Sequence, residues 1–184
     1  MEKSMFEIDK DIMIDTRRLR LRFMKSEDRK AIFETLAHDR EVLRYFIMDY
    51  CETEEELSLD RMTEGALKHN RYFLAVTDKA SGEVMGMLLM CSSPTELMNT
   101  CEIGCALGRK YQGKGFAPEA TKAFISHLFE KGVHKVTATH ILENEHSKKC
   151  LQSIMHFEGI RKDELFYHGK YWDVAAYYLL NPNG

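Results

Sequence analysis

The stretch Glu102-Ile103-Gly104-Cys105-Ala106-Leu107, continuing as Gly108-Arg109-Lys110-Tyr111-Gln112-Gly113-Lys114-Gly115-Phe116-Ala117-Pro118-Glu119-Ala120, reads as a strand, a glycine loop and a helix. Glu102 to Leu107 is short, mostly apolar and extended in character, whereas Phe116, Ala120, Phe124 and Leu128 recur at every fourth position, the spacing of one helical face. The loop therefore meets a helix N-terminus. Unpaired backbone N–H groups and the positive end of the helix dipole gather there, and Gly113 and Gly115 allow positive φ and close approach of a ligand to the backbone. A phosphate or pyrophosphate is the guest that such a loop suits.

The hexapeptide Gln112-Gly113-Lys114-Gly115-Phe116-Ala117 fits Gln/Arg-x-x-Gly-x-Gly/Ala and resembles the pyrophosphate loop of the GNAT acyltransferases, which bind acetyl-coenzyme A (acetyl-CoA). The flanks extend the resemblance to the branch containing the Rim-type ribosomal-protein N-terminal acetyltransferases. In that branch a Glu-Ile-Gly strand precedes the loop at this spacing and Glu-Ala follows it, as Glu119-Ala120 does here. Thr16-Arg17-Arg18-Leu19-Arg20-Leu21-Arg22 is similar to its opening strand and Gly169-Lys170-Tyr171-Trp172-Asp173 to its closing hairpin. A rival reading takes Gly108 to Gly115 as G-x-x-x-x-G-K-G, one residue short of a Walker A loop. Gly115 stands where the magnesium-binding Ser or Thr would be, and no apolar strand ends in a Walker B aspartate.

At 184 residues, 44% hydrophobic and 30% charged, the chain suits one well-cored domain spanning residues 1–184. Its first fifteen residues include Glu2, Lys3, Glu7, Asp9, Lys10, Asp11 and Asp15 and no apolar targeting core, and the longest apolar run, Val84 to Met90, is too short for a membrane span. A soluble, cytoplasmic protein is expected. The net charge of -3 gives no footprint for nucleic acid. The histidines have no metal-ligand spacing, so no metal is expected. Cys51, Cys91, Cys101, Cys105 and Cys150 are odd in number and scattered among apolar neighbours, as free core thiols are.

Along the chain, Arg18, Arg20 and Arg22 alternate with Leu19, Leu21 and Phe23, a half-buried strand whose basic outer face is read as solvated. Ser26 is expected to cap a helix through Ala31, Ile32 and Leu36, followed by a helical piece around 41–48. Thr53-x-x-Glu56 is expected to form a capping box ahead of a helix carrying Leu57, Met62 and Leu67. Strands follow at Tyr72 to Thr77, at Glu83 to Cys91 and up to Leu107, then the loop and its helix with Gly132 at the C′ position. Lys135 to Ile141, a helix capped by Asn144, and strands near Ile160 to Tyr167 and Tyr171 to Leu180 complete the order. The result is an α/β (α+β) arrangement on a mixed, mostly antiparallel sheet flanked by helices, which agrees with the GNAT fold.

The resemblance implies a site. It assigns coenzyme contacts to the backbone of Cys105, Ala106 and Leu107, where the strand splays from its neighbour, to the loop residues Gln112, Gly113, Lys114, Gly115, Phe116 and Ala117, and to Asn144 and Ser147 of an Asn-x-x-Ser. Glu102 is the candidate general base, directly or through water, with its alternative role that of a carboxylate structuring the cleft. Many relatives carry a tyrosine acid seven residues after the asparagine. Here that position is Leu151, so Ser147 or water would protonate the leaving thiolate. The glycine of the family's Leu-Gly-Phe is also missing from Ile154-Met155-His156-Phe157. His156 is read as a turn residue, His146 as a surface residue, and Asp173 as ordering the closing hairpin. The activity implied is direct acetyl transfer from acetyl-CoA to an amine acceptor, a protein N-terminal α-amine first and a small-molecule amine second. A non-catalytic acyl-CoA-binding regulatory module is the alternative from another class, and a homodimer is compatible with the resemblance.

Overall fold

The structure, a computed structural model, describes residues 6–183. Glu2 and Lys3 of the charged N-terminal segment lie outside them. The chain runs β1 (Met13–Asp15), β2 (Leu19–Phe23), α1 (Arg29–Ile32), α2 (Arg40–Leu43), α3 (Glu64–Lys68), β3 (Phe73–Asp78), β4 (Val84–Met90), β5 (Thr100–Leu107), α4 (Phe116–Glu130), β6 (Lys135–Ile141), α5 (Glu145–Gln152), β7 (His156–Tyr167) and β8 (Lys170–Leu180). The strands form one 8-stranded sheet in the order β1-β2-β3-β4-β5-β6-β8-β7. Every pairing is antiparallel except β5 with β6, which α4 connects as a crossover. This is the mostly antiparallel α/β arrangement expected.

The parallel pair is brief. Thr100, Cys101 and Glu102 face Lys135, Val136 and Thr137, and there the pairing stops. β5 stays with β4 as far as Leu107 opposite Gly86, while β6 stays with β8 as far as Ile141 opposite Val174. The sheet consequently forks beyond Glu102.

A core on each face holds the two arms. On one, Cys101, Ile103 and Leu107 of β5 and Val136 and Ala138 of β6 pack with Ala120, Phe124, Ile125 and Leu128 of α4. On the other, Ala106 joins Ile32, Leu36, Leu57 and Leu59 from the segment between β2 and β3. Fully burying one such Leu, Ile or Phe contributes about 1.5–3 kcal/mol. The α4 stripe therefore anchors the loop that precedes it. Gly132 (φ +88°) ends α4 as the C′ residue: its N–H donates to Phe129 O at 3.0 Å, and that of Val133 donates to Leu128 O at 3.0 Å. His168 (φ +51°) and Gly169 (φ +76°) make the two-residue turn between β7 and β8.

The segment between β2 and β3 departs from expectation. Ser26 lies inside a short 3-10 turn, Ser26–Asp28, in which Asp28 Oδ2 accepts the Lys25 N–H at 2.9 Å. After four α-helical residues the chain widens to a π-turn over Phe33–Ala37, with His38 N–H donating to Phe33 O at 3.0 Å. The helical piece around 41–48 is only Arg40–Leu43. Thr53 makes no side-chain cap, and the helix expected after it is reduced to a 3-10 turn over Glu54–Glu56 and the five-residue α3, which holds Leu67 but neither Leu57 nor Met62. Glu56 Oε2 instead accepts the Glu52 N–H at 2.8 Å, and Leu57 and Leu59, both buried, extend the backbone by alternating into the core. β1 was not foreseen, and His156 opens β7 rather than a turn.

The basic face of β2 is also paired rather than solvated. Arg18 meets Glu119 at 2.6 Å, Arg20 meets Asp15 at 2.7 Å, and Arg22 meets the buried Asp28 at 2.6 Å. Asp15 is drawn down to about 2, chiefly by its hydrogen bond from Arg20.

Gly86 is where β4 crowds β5: a Cβ there would sit 2.1 Å from Ala106 O and 2.8 Å from Leu107 Cα. Gly86→Ala is expected to destabilise the fold by about 3 kcal/mol, read as a lowered urea midpoint with an unchanged slope.

Candidate active site

Backbone direction along β5 follows from its two ends. Glu102 O accepts the Cys91 N–H at 2.7 Å and Gly108 N–H donates to Met85 O at 3.0 Å, so both turn toward β4. The alternation of an antiparallel strand turns Gly104 and Ala106 the same way; the N–H of Ile103 closes the short ladder to β6, and those of Cys105 and Leu107 are directed into the fork. Of the three backbone contacts expected at Cys105, Ala106 and Leu107, the middle one is thus oriented to Met87 of β4 instead. This is a correction that only the register reveals.

The fork opens into a cleft of about 770 Å³. Cys105, Ala106 and Leu107 line it, as do Gln112, Gly113, Gly115, Phe116 and Ala117 from the loop and Asn144 and Ser147 from the start of α5. Gly113 (φ +73°) and Gly115 (φ +77°) both take the left-handed conformation, and a Cβ at Gly113 would meet no atom within 4 Å, so the backbone stands open to the cleft. Lys114 is not part of the cleft wall. Its carbonyl accepts from Arg18 Nη1 at 2.9 Å. Gln112 donates its side-chain amide to Leu107 O at 2.8 Å, tying the loop to the end of β5. Asn144 Oδ1 accepts the Ser147 N–H at 3.0 Å, a true N-cap that leaves the amide NH2 for other partners.

Glu102 lies on the other side of the sheet. It lines a neighbouring groove of about 720 Å³ with Thr100, Lys135 and Glu158. Its Oε1 accepts from Thr139 Oγ1 at 3.0 Å, and Thr139 lines the cleft. One hydrogen bond therefore spans the fork between the two depressions. Lys135 pairs with Glu158 at 2.5 Å, so the neighbouring ammonium is already engaged.

At the far end of the cleft stand Glu41, Arg44, Tyr45 and Phe46, which the sequence did not single out. The β7–β8 hairpin reaches them. Tyr167 Oη lies 3.0 Å from both Leu43 O and Phe46 O, and Tyr45 packs edge-on to Trp172 at 6.2 Å. The β7–β8 register shifts at a bulge between Arg161 and Leu165, and Asp173 orders it by accepting from Asp163 N–H at 3.0 Å and Lys162 Nζ at 2.6 Å. No local pattern announces Tyr167, whose partners lie more than a hundred positions away. His140, also passed over, is buried in the cleft wall, with Nδ1 2.7 Å from Ile141 O and its ring stacked on Tyr177.

An acetyltransferase (GNAT) domain model matches residues 18–154. The chain belongs to the GNAT acetyltransferase family. An N-acetyltransferase called p20 from Bacillus licheniformis is 31% identical over 173 residues, covering 90% of this chain and 94% of that protein. The ribosomal protein uS5-alanine N-acetyltransferase of Escherichia coli is 25% identical over 114 residues, 61% of this chain and 59% of that one. A GNAT acetyltransferase structure from Bacillus anthracis superposes with TM-score 0.77 at 27% identity, over 92% of this chain and 99% of that one. The protein is accordingly an acetyl-CoA-dependent N-acetyltransferase. Among the described residues no helix is long and apolar enough to cross a membrane, and no three His, Cys, Asp or Glu side chains are placed to hold a metal ion.

The thiols of this GNAT enzyme are unsuited to carry an acetyl group. Burial pushes Cys105 up to about 12, with Cys150 adding to it, and Cys91 up to about 12, with the Glu102 charge adding to it. Cys150 rises to about 11 by burial. All five cysteines are free, with Cys51 and Cys101 fully buried and the others half-buried. A protonated thiol is a poor nucleophile. Cys105→Ala and Cys150→Ala should each keep kcat within roughly threefold of the parent, under 1 kcal/mol of barrier. An acetyl-cysteine seen by intact-protein mass spectrometry would contradict this.

Proposed function

We propose that this enzyme acts in the cytoplasm and transfers the acetyl group directly from acetyl-CoA to the α-amine of a protein N-terminus. The observation that carries the reading is the fork: the N–H groups of Cys105 and Leu107 are directed into the cleft, and the Glu102 carboxylate lies on the opposite side of the same strand. The loop N–H groups at the head of α4 suit the pyrophosphate. The N–H groups of Cys105 and Leu107 suit the pantetheine arm and the thioester oxygen, where negative charge develops as the amine attacks. Asn144 and Ser147 complete the coenzyme side.

An amine must lose its proton to attack. An α-amine of pKa about 7.7–8.0 is partly neutral at pH 7, whereas a lysine at about 10.4 is almost wholly protonated. A single hydrogen-bonded carboxylate, Glu102, is enough for the easier substrate, directly or through water. The relative that acetylates the alanine of ribosomal protein uS5 supports the same acceptor class. Leu151 withholds the tyrosine hydroxyl, but a thiol near pKa 8.5 leaves as a weakly basic anion, so Ser147 or water suffices to protonate it.

Glu102→Gln is expected to lower turnover most below pH 7, with the deficit shrinking as the acceptor amine deprotonates through about pH 8 and the affinity for CoA unchanged. An unaltered pH–rate profile would remove Glu102 from the mechanism. Acceptor class is tested by assaying peptides with a free N-terminal alanine or serine against the same peptides Nα-blocked but carrying lysine, and against spermidine. Turnover confined to the amines of lysine or spermidine would overturn the α-amine assignment.

A further inference from the structure

The cleft-facing loop has no local cap. Gly115, the N-cap residue of α4, has no side chain, and Lys114 sits between two left-handed glycines. In such a conformation successive N–H groups converge on one side, forming an anion nest, and the intervening carbonyl is left to find a partner elsewhere. That partner comes from the residue immediately before β2. Arg18 Nη1 donates to Lys114 O at 2.9 Å, its guanidinium lies 4.3 Å over the ring of Phe116, and Nε and Nη2 meet Glu119 Oε2 at 2.7 and 2.6 Å. Glu119 Oε1 in turn accepts from the Arg18 N–H at 3.0 Å and from Thr16 Oγ1 at 2.6 Å.

Glu119 lies in the first turn of α4. An acid is favoured there by the helix dipole in a free helix, but it competes with any anion brought to the same end. Burial pushes its carboxyl up, yet the bonds from Thr16 and Arg18 outweigh that and hold it below the ordinary range, so it carries full charge at neutral pH. The charge is masked by the guanidinium that also holds the loop.

We propose that Arg18 is a positioning residue for the coenzyme, fixing the shape of the Gln112–Ala117 loop through Lys114 and cancelling the charge of Glu119 beside the pyrophosphate. The proposal rests on the reading of that loop as the pyrophosphate site. Arg18 touches neither the thioester nor the acceptor; it acts through the backbone N–H groups that it aims. Lysine at this position would neutralise Glu119 but could not bridge both the carboxylate and the Lys114 carbonyl with one rigid fork.

The test compares two acetyl donors, acetyl-CoA and S-acetyl-pantetheine, which lacks the pyrophosphate, and measures CoA binding by calorimetry. Arg18→Ala is expected to weaken CoA about tenfold and to lower the ratio of kcat/KM for acetyl-CoA over acetyl-pantetheine by a similar factor. Arg18→Lys should recover part of the loss, and the double variant Arg18→Ala/Glu119→Gln, freed of the unmasked charge, should stay weaker than the parent. An equal fall with both donors would mean a merely structural role and overturn the proposal. Full recovery in the double variant would overturn the loop-shaping part. Parent-like CoA affinity in Arg18→Ala would overturn it altogether. Failure of the parent protein to bind CoA would instead refute the pyrophosphate reading, a result distinct from all of these.

Discussion

The parallel contact between β5 and β6 lasts three residues, and the site depends on its ending there. Had the pair continued, the N–H groups of Cys105 and Leu107 would be consumed by a ladder and the sheet would be closed. Unpaired backbone in a dry interior is costly, so a fork of this kind is stable only where water or a ligand can reach it. The cleft meets that condition. What keeps the arms apart is that each has a better partner elsewhere: β5 in β4, pressed close at Gly86, and β6 in β8 as far as Ile141. The helix α5, capped by Asn144, lines the opening.

The two cores then divide the labour of the site between the two faces. α4 and its apolar stripe fix the loop on one face, while the irregular segment between β2 and β3 supports the other and supplies the wall around Glu41 to Phe46. That segment has little regular hydrogen bonding of its own. It is held by side chains such as Arg29, which donates to Leu57 O at 2.6 Å, and Tyr167, which reaches in from the last hairpin. The Arg109 to Asp39 pair at 2.6 Å adds a further tie, because Asp39 also caps α2.

Local chemistry was legible where the determinants lie close in sequence. The strand, glycine loop and helix, the C′ glycine at 132, the Asn144 cap and the turn at His168-Gly169 all depend on neighbours within a few positions, and each is found where its residues indicated. The segment from Ser26 to Leu67 misled for the opposite reason. Its capping residues are locally plausible, but Asp28 is engaged by Arg22 and Lys25, and the alternating burial of Leu57 and Leu59 outweighs helix propensity. The basic face of β2 looked solvated because each of its carboxylates must be supplied by another element. In the same way, the sequence could name Glu102 but not Thr139, its partner 37 positions later, nor show that the two straddle the fork.

The clasp at Arg18 joins positions 101 apart, and the Tyr167 contact to Leu43 joins positions 124 apart. Contacts of such long range are slow to form, because the entropy of closing the chain is lost before any of them is gained. The glycine loop therefore reaches its working shape only after an early strand has docked against a helix from the middle of the chain. The wall around Glu41 to Phe46 is completed later still, by the β7–β8 hairpin. The same hairpin carries β8, the partner that holds β6 away from β5, so during synthesis both walls of the cleft wait on one late element.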